Sequence, residues 1–449
     1  MENKPKMQLV MQIGSGYGLD QGAWRMPNAD PAAYMNVDVQ VELAKIAERG
    51  KIQMIFFADT PGLATDISNQ PPQSPMDPIV LLTALARETD RIGLLTTIST
   101  TYNHPYNVAR QLKALDVVSK GRIGVNFVTT SNPVAAMNFG ENVPSRQERY
   151  ERAHEFIQIV QALWGSWGED ALLLDVENGK FADVSKIQPV NMAGSYVQSR
   201  GPLPIPPSKQ GQPVIFTAGG SEETLKILGR YGNGLYTNPY DRKTASVYRE
   251  IFREGAKRFG RDPNEIKVFP GIIPSIAPTK EEALERRRQL DRKMDLRGRL
   301  QYLGSMIGIP LSYDQIDQPV PVEMLEHAFA NPQDPRSDYA LKLVKTGMPI
   351  RDVLAHGVIN YHPVIVGTAE DVADFMEEWF VNGACDGFAI QPDVSFDGIR
   401  DFVDQVIPIL QERGLFHEEY EGTTLREHMG IPYQYGSMEK PLTARNFQD

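Results

Sequence analysis

Eight short apolar runs, each leading into a stretch of helical or loop-like spacing, leave this chain few folds to choose from. They lie at 7–13, 53–58, 91–98, 123–129, 214–217, 234–237, 266–273 and 386–391. Most are apolar at successive rather than alternate positions, the pattern of strands covered on both faces. Helical spacing falls near 36–49, 77–89, 107–119, 146–167 and 399–413. Strand-then-helix units build a parallel sheet under a helical layer, and eight strands close a barrel. The expected fold is α/β, one (β/α)8 TIM barrel spanning 1–449, with a doubly wound open sheet as the alternative.

Three segments exceed the minimal unit. Residues 168–211 are rich in Gly, Pro and polar side chains and read as an excursion on the barrel rim. Residues 279–363, between the seventh and eighth strands, are charged and mostly helical, a large insertion expected to act as a lid or an oligomer contact. Residues 418–449 have little periodicity and read as an extended C-terminal tail over the surface or a neighbouring subunit. A formal net charge of -11 without any basic block speaks against nucleic acid and anionic membranes as partners. No apolar run approaches the ~18 residues of a membrane span. The single cysteine, Cys385, and an N-terminus without a signal-peptide core fit a cytoplasmic protein, expected as a homodimer or homotetramer.

A barrel of this kind places its chemistry where strands end and loops begin. The most informative junction is 212–224, where an apolar strand meets Ala218-Gly219-Gly220-Ser221 and then an acidic helical turn. Free backbone N–H groups at such a helix start accept an anion, with Ser221 as cap or ligand and Gly220 giving close access. Arg146 and Tyr150, four apart, share a helix face and can grip the same phosphate; the competing reading pairs Arg146 with a surface acid such as Glu148 or Glu151. Asp59 closes the second strand after Phe56-Phe57-Ala58, either facing a ligand N–H or capping the next segment. Thr97 stands in the hydroxyl-dense run 96–101, and Asn126 inside the fourth strand is either a satisfied core amide or a ligand contact. Tyr17, Phe57 and Met306 are candidates for a substrate wall, with Trp24 and His362. The seven histidines form no His-x-His or His-Glu-x-x-His, and no Gly-x-Ser-x-Gly is present, which argues against a zinc hydrolase and a serine hydrolase. Gly14-Ser-Gly16-Tyr-Gly18 lacks the helix that a dinucleotide loop requires.

The same residues carry a resemblance. Gly22-Ala-Trp-Arg25, Phe56-Phe-Ala-Asp59, Ser99-Thr-Thr-Tyr-Asn-His-Pro-Tyr-Asn-Val-Ala-Arg110, Leu115-Asp-Val-Val-Ser-Lys-Gly-Arg122, Asn126-Phe-Val-Thr-Thr130, Asn138-Phe-Gly140, Arg149-Tyr-Glu-Arg152 and Ala218-Gly-Gly-Ser221 run nearly end to end. The C-terminal stretches 402–414 and 420–426 extend it. The chain resembles the bacterial-luciferase-like flavin monooxygenases, in the branch of the nitrilotriacetate, EDTA and dibenzothiophene-sulfone monooxygenases. That resemblance implies a (β/α)8 barrel that binds FMN, uses it as FMNH2 and reacts it with O2. It implies flavin contacts at Asp59, Thr97, Asn126, Tyr150 and Ser221. Where the family usually has a histidine four residues before the tyrosine, this chain has Arg146, which keeps anion binding and removes a proton-transfer group. The family's dibenzothiophene-sulfone branch also carries histidines that are absent from 17–21 and 304–308 here. The implied function is the oxygenase half of a two-component system, supplied by an NAD(P)H:FMN reductase and oxidising a small organic substrate. A deazaflavin-dependent dehydrogenase and a non-catalytic flavin-binding protein are the alternatives.

Overall fold

Parallel hydrogen bonding runs unbroken around eight strands in the computed structural model, which describes residues 5–63, 67–72, 74 and 76–436. The strands are β1 (Gln8–Gln12), β2 (Met54–Phe56), β3 (Gly93–Ser99), β4 (Ile123–Val128), β5 (Val214–Ala218), β6 (Gly234–Thr237), β7 (Lys267–Ile276) and β8 (Gly387–Ile390). Each pairs with the next, and β8 returns to β1 through Gln8 opposite Gly387. The sheet is closed, so the (β/α)8 barrel holds and the open sheet falls.

Side-chain alternation sorts the strands into two packed layers. Val10, Met54, Phe56, Leu95, Val214, Phe216, Phe269 and Ala389 fill the interior. Leu9, Met11, Ile55, Phe57 and Leu94 face outward into one large core shared with the helices. Those helices include α1 (Val37–Arg49), α2 (Pro78–Glu88), α3 (Pro105–Val118), α4 (Pro133–Asn138), α5 (Arg146–Trp164), α6 (Glu222–Tyr231) and α7 (Arg242–Arg258).

The tail departs from expectation. Instead of lying on the surface, Leu425, Met429 and Ile431 enter the interior cluster and close the floor of the barrel. A Cβ on Gly93 would lie 2.6 Å from Leu425 Cδ1, and one on Gly124 3.1 Å from its Cδ2, so those two glycines make the room. The remainder of the expected tail, 437–449, lies outside the described residues.

The insertion between β7 and β8 is present and helical, led by α8 (Lys280–Asp291) and α9 (Leu296–Ile307), with its own core of Leu300, Leu303, Ile307, Val344 and Leu354. It returns through a strand not foreseen, Val364–Gly367, which pairs in parallel with the far half of β7. Short apolar runs with a single glycine exit are hard to tell from helix termini. Two small hairpins, Leu172–Asp175 with Lys180–Ala182 and Met192–Ala193 with Gln198–Ser199, shape the rim excursion. The last helix is broken by a wide turn at Phe402–Val406, just before Pro408, whose missing N–H and ring deny the regular ladder.

Arg122 anchors the layer. Its buried guanidinium donates to the carbonyls of Ala86, Thr89, Ile92 and Ser119 and to Thr89 Oγ1, at 2.7–3.0 Å. Ala86 and Thr89 are the C-terminal turn of α2, where the helix dipole favours a cation. Replacing Arg122 with Met should leave these carbonyls unpaired and lower stability by about 3 kcal/mol, read from urea unfolding.

Candidate active site at the barrel mouth

The junction after β5 is built from local rules. β5 ends at Ala218, Gly219 takes a φ of +111°, and Ser221 caps α6 by accepting the Thr224 amide at 3.3 Å. A Cβ at Gly219 would meet only Thr224 Oγ1, at 3.5 Å, so the turn is an open notch. At Gly220 a Cβ would come within 3.2 Å of the Tyr248 ring, which gives this glycine a packing reason of its own.

α5 delivers two side chains to this corner. Its capping box, Ser145 with Glu148, fixes where the helix starts, and one turn later Tyr150 reaches the hydroxyls of Ser221, Thr224 and Thr129. Burial pushes the Tyr150 phenol up, but those hydroxyls and the Arg146 guanidinium together hold it below its ordinary value. Arg146 lies over the Tyr150 ring at 5.7 Å and bonds Glu223 Oε2 at 2.8 Å. The surface-acid reading was thus right in kind, with Glu223 of α6 in place of Glu148 or Glu151. Glu223 holds the guanidinium beside the Ser221 turn.

Asp59 lies three residues beyond β2, while Thr97 lies within β3 and Asn126 within β4. Thr97 and Asn126 are paired in register and buried, with Asn126 Nδ2 donating to Thr97 Oγ1 at 3.3 Å. Asn126 Oδ1 is buried with no partner among the described residues. An unpaired amide oxygen in a barrel interior is costly and calls for a donor from outside the fold. Asp59 is half-buried. Burial, and then the neighbouring Asp77 carboxylate, push it up to about 6 against the pull of the Thr60 amide. Asp77 itself is spent as the cap of α2, accepting from Ile79 and Val80.

A cavity of about 110 Å³ opens at the ends of β1, β2 and β8, lined among others by Gln12, Gly14, Ala58, Ser74 and Gln391. Gln391 donates to Tyr236 Oη at 3.1 Å, and Tyr236 Oη contacts His362 Nε2 at 2.5 Å. Burial alone pushes His362 down to about 3, so the imidazole is neutral, and its Nδ1 has no partner among the described residues. Sequence reasoning missed Tyr236 and Gln391 altogether. The only available signal was a polar side chain within or just after a short apolar strand.

The substrate-wall candidates are not brought to this cavity. Phe57 faces outward into the helix–strand core, because Phe56 takes the inward position of that strand end. Tyr17 is buried against Ala23, Ala33, Leu290 and Val394 and donates to Pro31 O at 2.7 Å. Met306 is sealed in the insertion's own core. Trp24 also belongs to the Tyr17 cluster and donates to Asn69 O at 3.2 Å. Of the five, only His362 reaches the interior network.

The insertion is tied down by charge. Arg287 of α8, fully buried, pairs with Asp20 after β1, and Asn360 donates to the same carboxylate at 3.0 Å. Arg286 bonds Asp393 after β8 at 2.8 Å. A buried pair is weak as a source of stability but strong as a register device, here fixing the insertion to two mouth loops.

A closed parallel barrel, an open glycine–serine corner after β5, a buried polar face on β3 and β4 and a helical insertion tied to mouth loops define the mouth of a barrel enzyme. The chain belongs to the family described as Luciferase-like monooxygenase, whose model matches residues 11–386. It is 41% identical to N-acetyl-S-(2-succino)cysteine monooxygenase of Bacillus subtilis (strain 168), over 98% of this chain and 99% of that one. It is 33% identical to nitrilotriacetate monooxygenase component A of Aminobacter aminovorans, over 94% and 96%. Among solved structures, EDTA monooxygenase from Chelativorans sp. BNC1 superposes with a TM-score of 0.81 at 30% identity, covering 95% of this chain and 99% of that one. No helix among the described residues is long and apolar enough to cross a membrane.

Proposed function

We propose that this chain is the oxygenase component of a two-component system that takes FMNH2 from a separate NAD(P)H:FMN reductase and oxidises a small organic substrate with O2. The observation that carries this reading is the pairing, on one barrel, of an anion corner at Ser221 and Tyr150 with a buried, unpartnered amide oxygen at Asn126. The residues fit the cofactor: a phosphate meets N–H groups, hydroxyls and Arg146, and a flavin ring carries an N–H donor of the kind that Asn126 Oδ1 lacks among the described residues and that the Asp59 carboxylate can accept. Bound reduced flavin supplies the electrons that activate O2; the chain supplies position, dryness and hydrogen bonds. Thr97 orients Asn126, the apolar layer of Phe56 and Phe216 keeps water out, and the tethered insertion acts as a lid over the mouth.

For the substrate we favour a small polycarboxylate. The names of the two relatives given above and of the superposed structure support this, and so does a cavity of about 480 Å³ lined by Arg25, Lys293, Asn69, Gln70 and Asp295, whose carboxylate is engaged as the cap of α9. Neither Arg25 nor Lys293 is in an ion pair among the described residues. The test supplies N-acetyl-S-(2-succino)cysteine, reduced FMN from an added reductase and isotopically labelled O2. Labelled oxygen in product or in the released fragment is expected. Turnover with reduced deazaflavin instead, or NAD(P)H oxidation without any reductase, overturns the reading.

A further inference from the structure

Opposite the mouth, where the strands begin, the surface changes character. A cavity of about 690 Å³ is lined by Lys6 and Gln8 of β1 and its approach, Lys267 at the start of β7, Asp386 just before β8, and Arg249 and Arg253 of α7. On a chain of net charge -11, five cations line this cavity, Arg413 among them, against two carboxylates, Asp386 and Glu377. Asp386 is already engaged: it accepts from Arg249 at 2.9 Å, Arg253 at 2.8 Å and the Val268 amide at 3.0 Å. The wall's other carboxylate, Glu377, is taken by Arg413 at 2.7 Å. Lys267 is therefore left without an ion pair, and Arg253 Nε is buried without a hydrogen-bond partner, among the described residues. Burial, with Arg253 and Arg249 nearby, pulls the Lys267 ammonium below its usual range despite Asp386 and the more weakly acting Asp262. Holding like charges together in a concavity raises free energy unless an anion joins them.

We propose that this pocket at the barrel's N-terminal face binds the phosphate group of a small molecule, gripped by Arg253, Lys267, Arg249 and Lys6. Arginine forks and a lysine suit a tetrahedral dianion better than a single carboxylate does, and the volume exceeds that of a bare ion. The site lies at strand starts, while the reaction mouth lies at strand ends, so it stands apart from the proposed flavin corner and does not depend on it.

The experiment is calorimetric titration of the full chain with inorganic phosphate and with glycerol phosphate, against chloride at matched ionic strength. Specific binding that survives in the Ser221→Ala chain is expected, weakened at least about tenfold by Lys267→Met and by Lys6→Ala. Lys6 is exposed, so its variant tests the site without disturbing the core. Lys267→Met should also raise the thermal midpoint in phosphate-free buffer, because it removes a crowded charge. Tighter glycerol phosphate identifies a phosphorylated metabolite, and tighter inorganic phosphate the free ion; both support the site. Binding no stronger than chloride, or a loss that follows Ser221 rather than Lys267, overturns it. So does a change of oligomeric state in the variants with no phosphate effect, which would make the patch a subunit contact.

Discussion

Reduced FMN should bind about 100-fold more weakly to the double variant Tyr150→Phe, Ser221→Ala than to the unaltered chain. The two hydroxyls meet at the start of α6 and contact each other, so one dianionic phosphate can accept from both. A hydrogen bond to a charged group contributes roughly 1.5–3 kcal/mol, and two at a partly solvated corner come to about 3 kcal/mol. Ser221→Ala alone should cost about tenfold, since the free amides of the first turn remain. Arg146→Ala should cost less than either, because its guanidinium is 58% exposed and already shared with Glu223. Anaerobic fluorescence titration reads these affinities, and riboflavin provides the contrast. Lacking the phosphate, riboflavin should bind the double variant as it binds the parent. If both flavins lose affinity equally, the corner holds the fold rather than the phosphate. If neither does, the flavin phosphate lies elsewhere.

That corner was legible because each of its parts obeys a local rule. A strand, a glycine turn, a serine cap and an acidic first turn can be read in thirteen residues, and i,i+4 spacing places Arg146 beside Tyr150 without any tertiary knowledge. The eight barrel strands were legible for the same reason. What escaped depends on long-range contacts. Tyr236 and His362 meet across 126 residues, and nothing near either one marks the encounter. Phe56 and Phe57 look alike in sequence, yet the pleat sends one inward and the other to the helices, and a slip of one residue exchanges them. Leu425 reads as tail until Gly93 and Gly124 are seen to make its socket. Motif specificity also misleads about role. The stretch ending in Arg122 is one of those that together carry the resemblance, but Asp116 accepts from the Ile123 amide and from Gln210 while Arg122 caps α2. Arg152 similarly ties α5 to the loop after β3 through Thr100 and Asn103. These residues identify the barrel by holding it together.

Acidification should expose the part Asp59 plays. In the free protein its carboxyl titrates near 6, because burial and Asp77 both disfavour the charge. A flavin N–H that donates to the carboxylate stabilises the ionised form and lowers that pKa in the complex. Binding is then strongest above pH 6 and falls as pH drops, by up to tenfold per unit until the complex's own pKa is reached. The folding sign is opposite. A carboxyl whose folded pKa is raised contributes its stability at acid pH and loses it as pH climbs from about 4 to 6. Asp59→Asn should therefore stabilise the flavin-free protein above pH 6, by about 1 kcal/mol once partial solvation is allowed for. The same variant should bind reduced FMN more weakly at pH 8, and its profile between pH 5 and 8 should lose the Asp59 contribution and keep only the flavin's own titration, the phosphate's second proton at about pH 6 included. These two effects, one on the empty protein and one on the complex, separate a ligand-facing carboxylate from a helix cap, since a cap lost to Asn would leave stability nearly unchanged at every pH. Affinity that rises on acidification would show instead that Asp59 meets the ring as a protonated donor. A wild-type profile that runs parallel to the variant's would remove Asp59 from the flavin site and leave Asn126 as its principal polar contact with the ring.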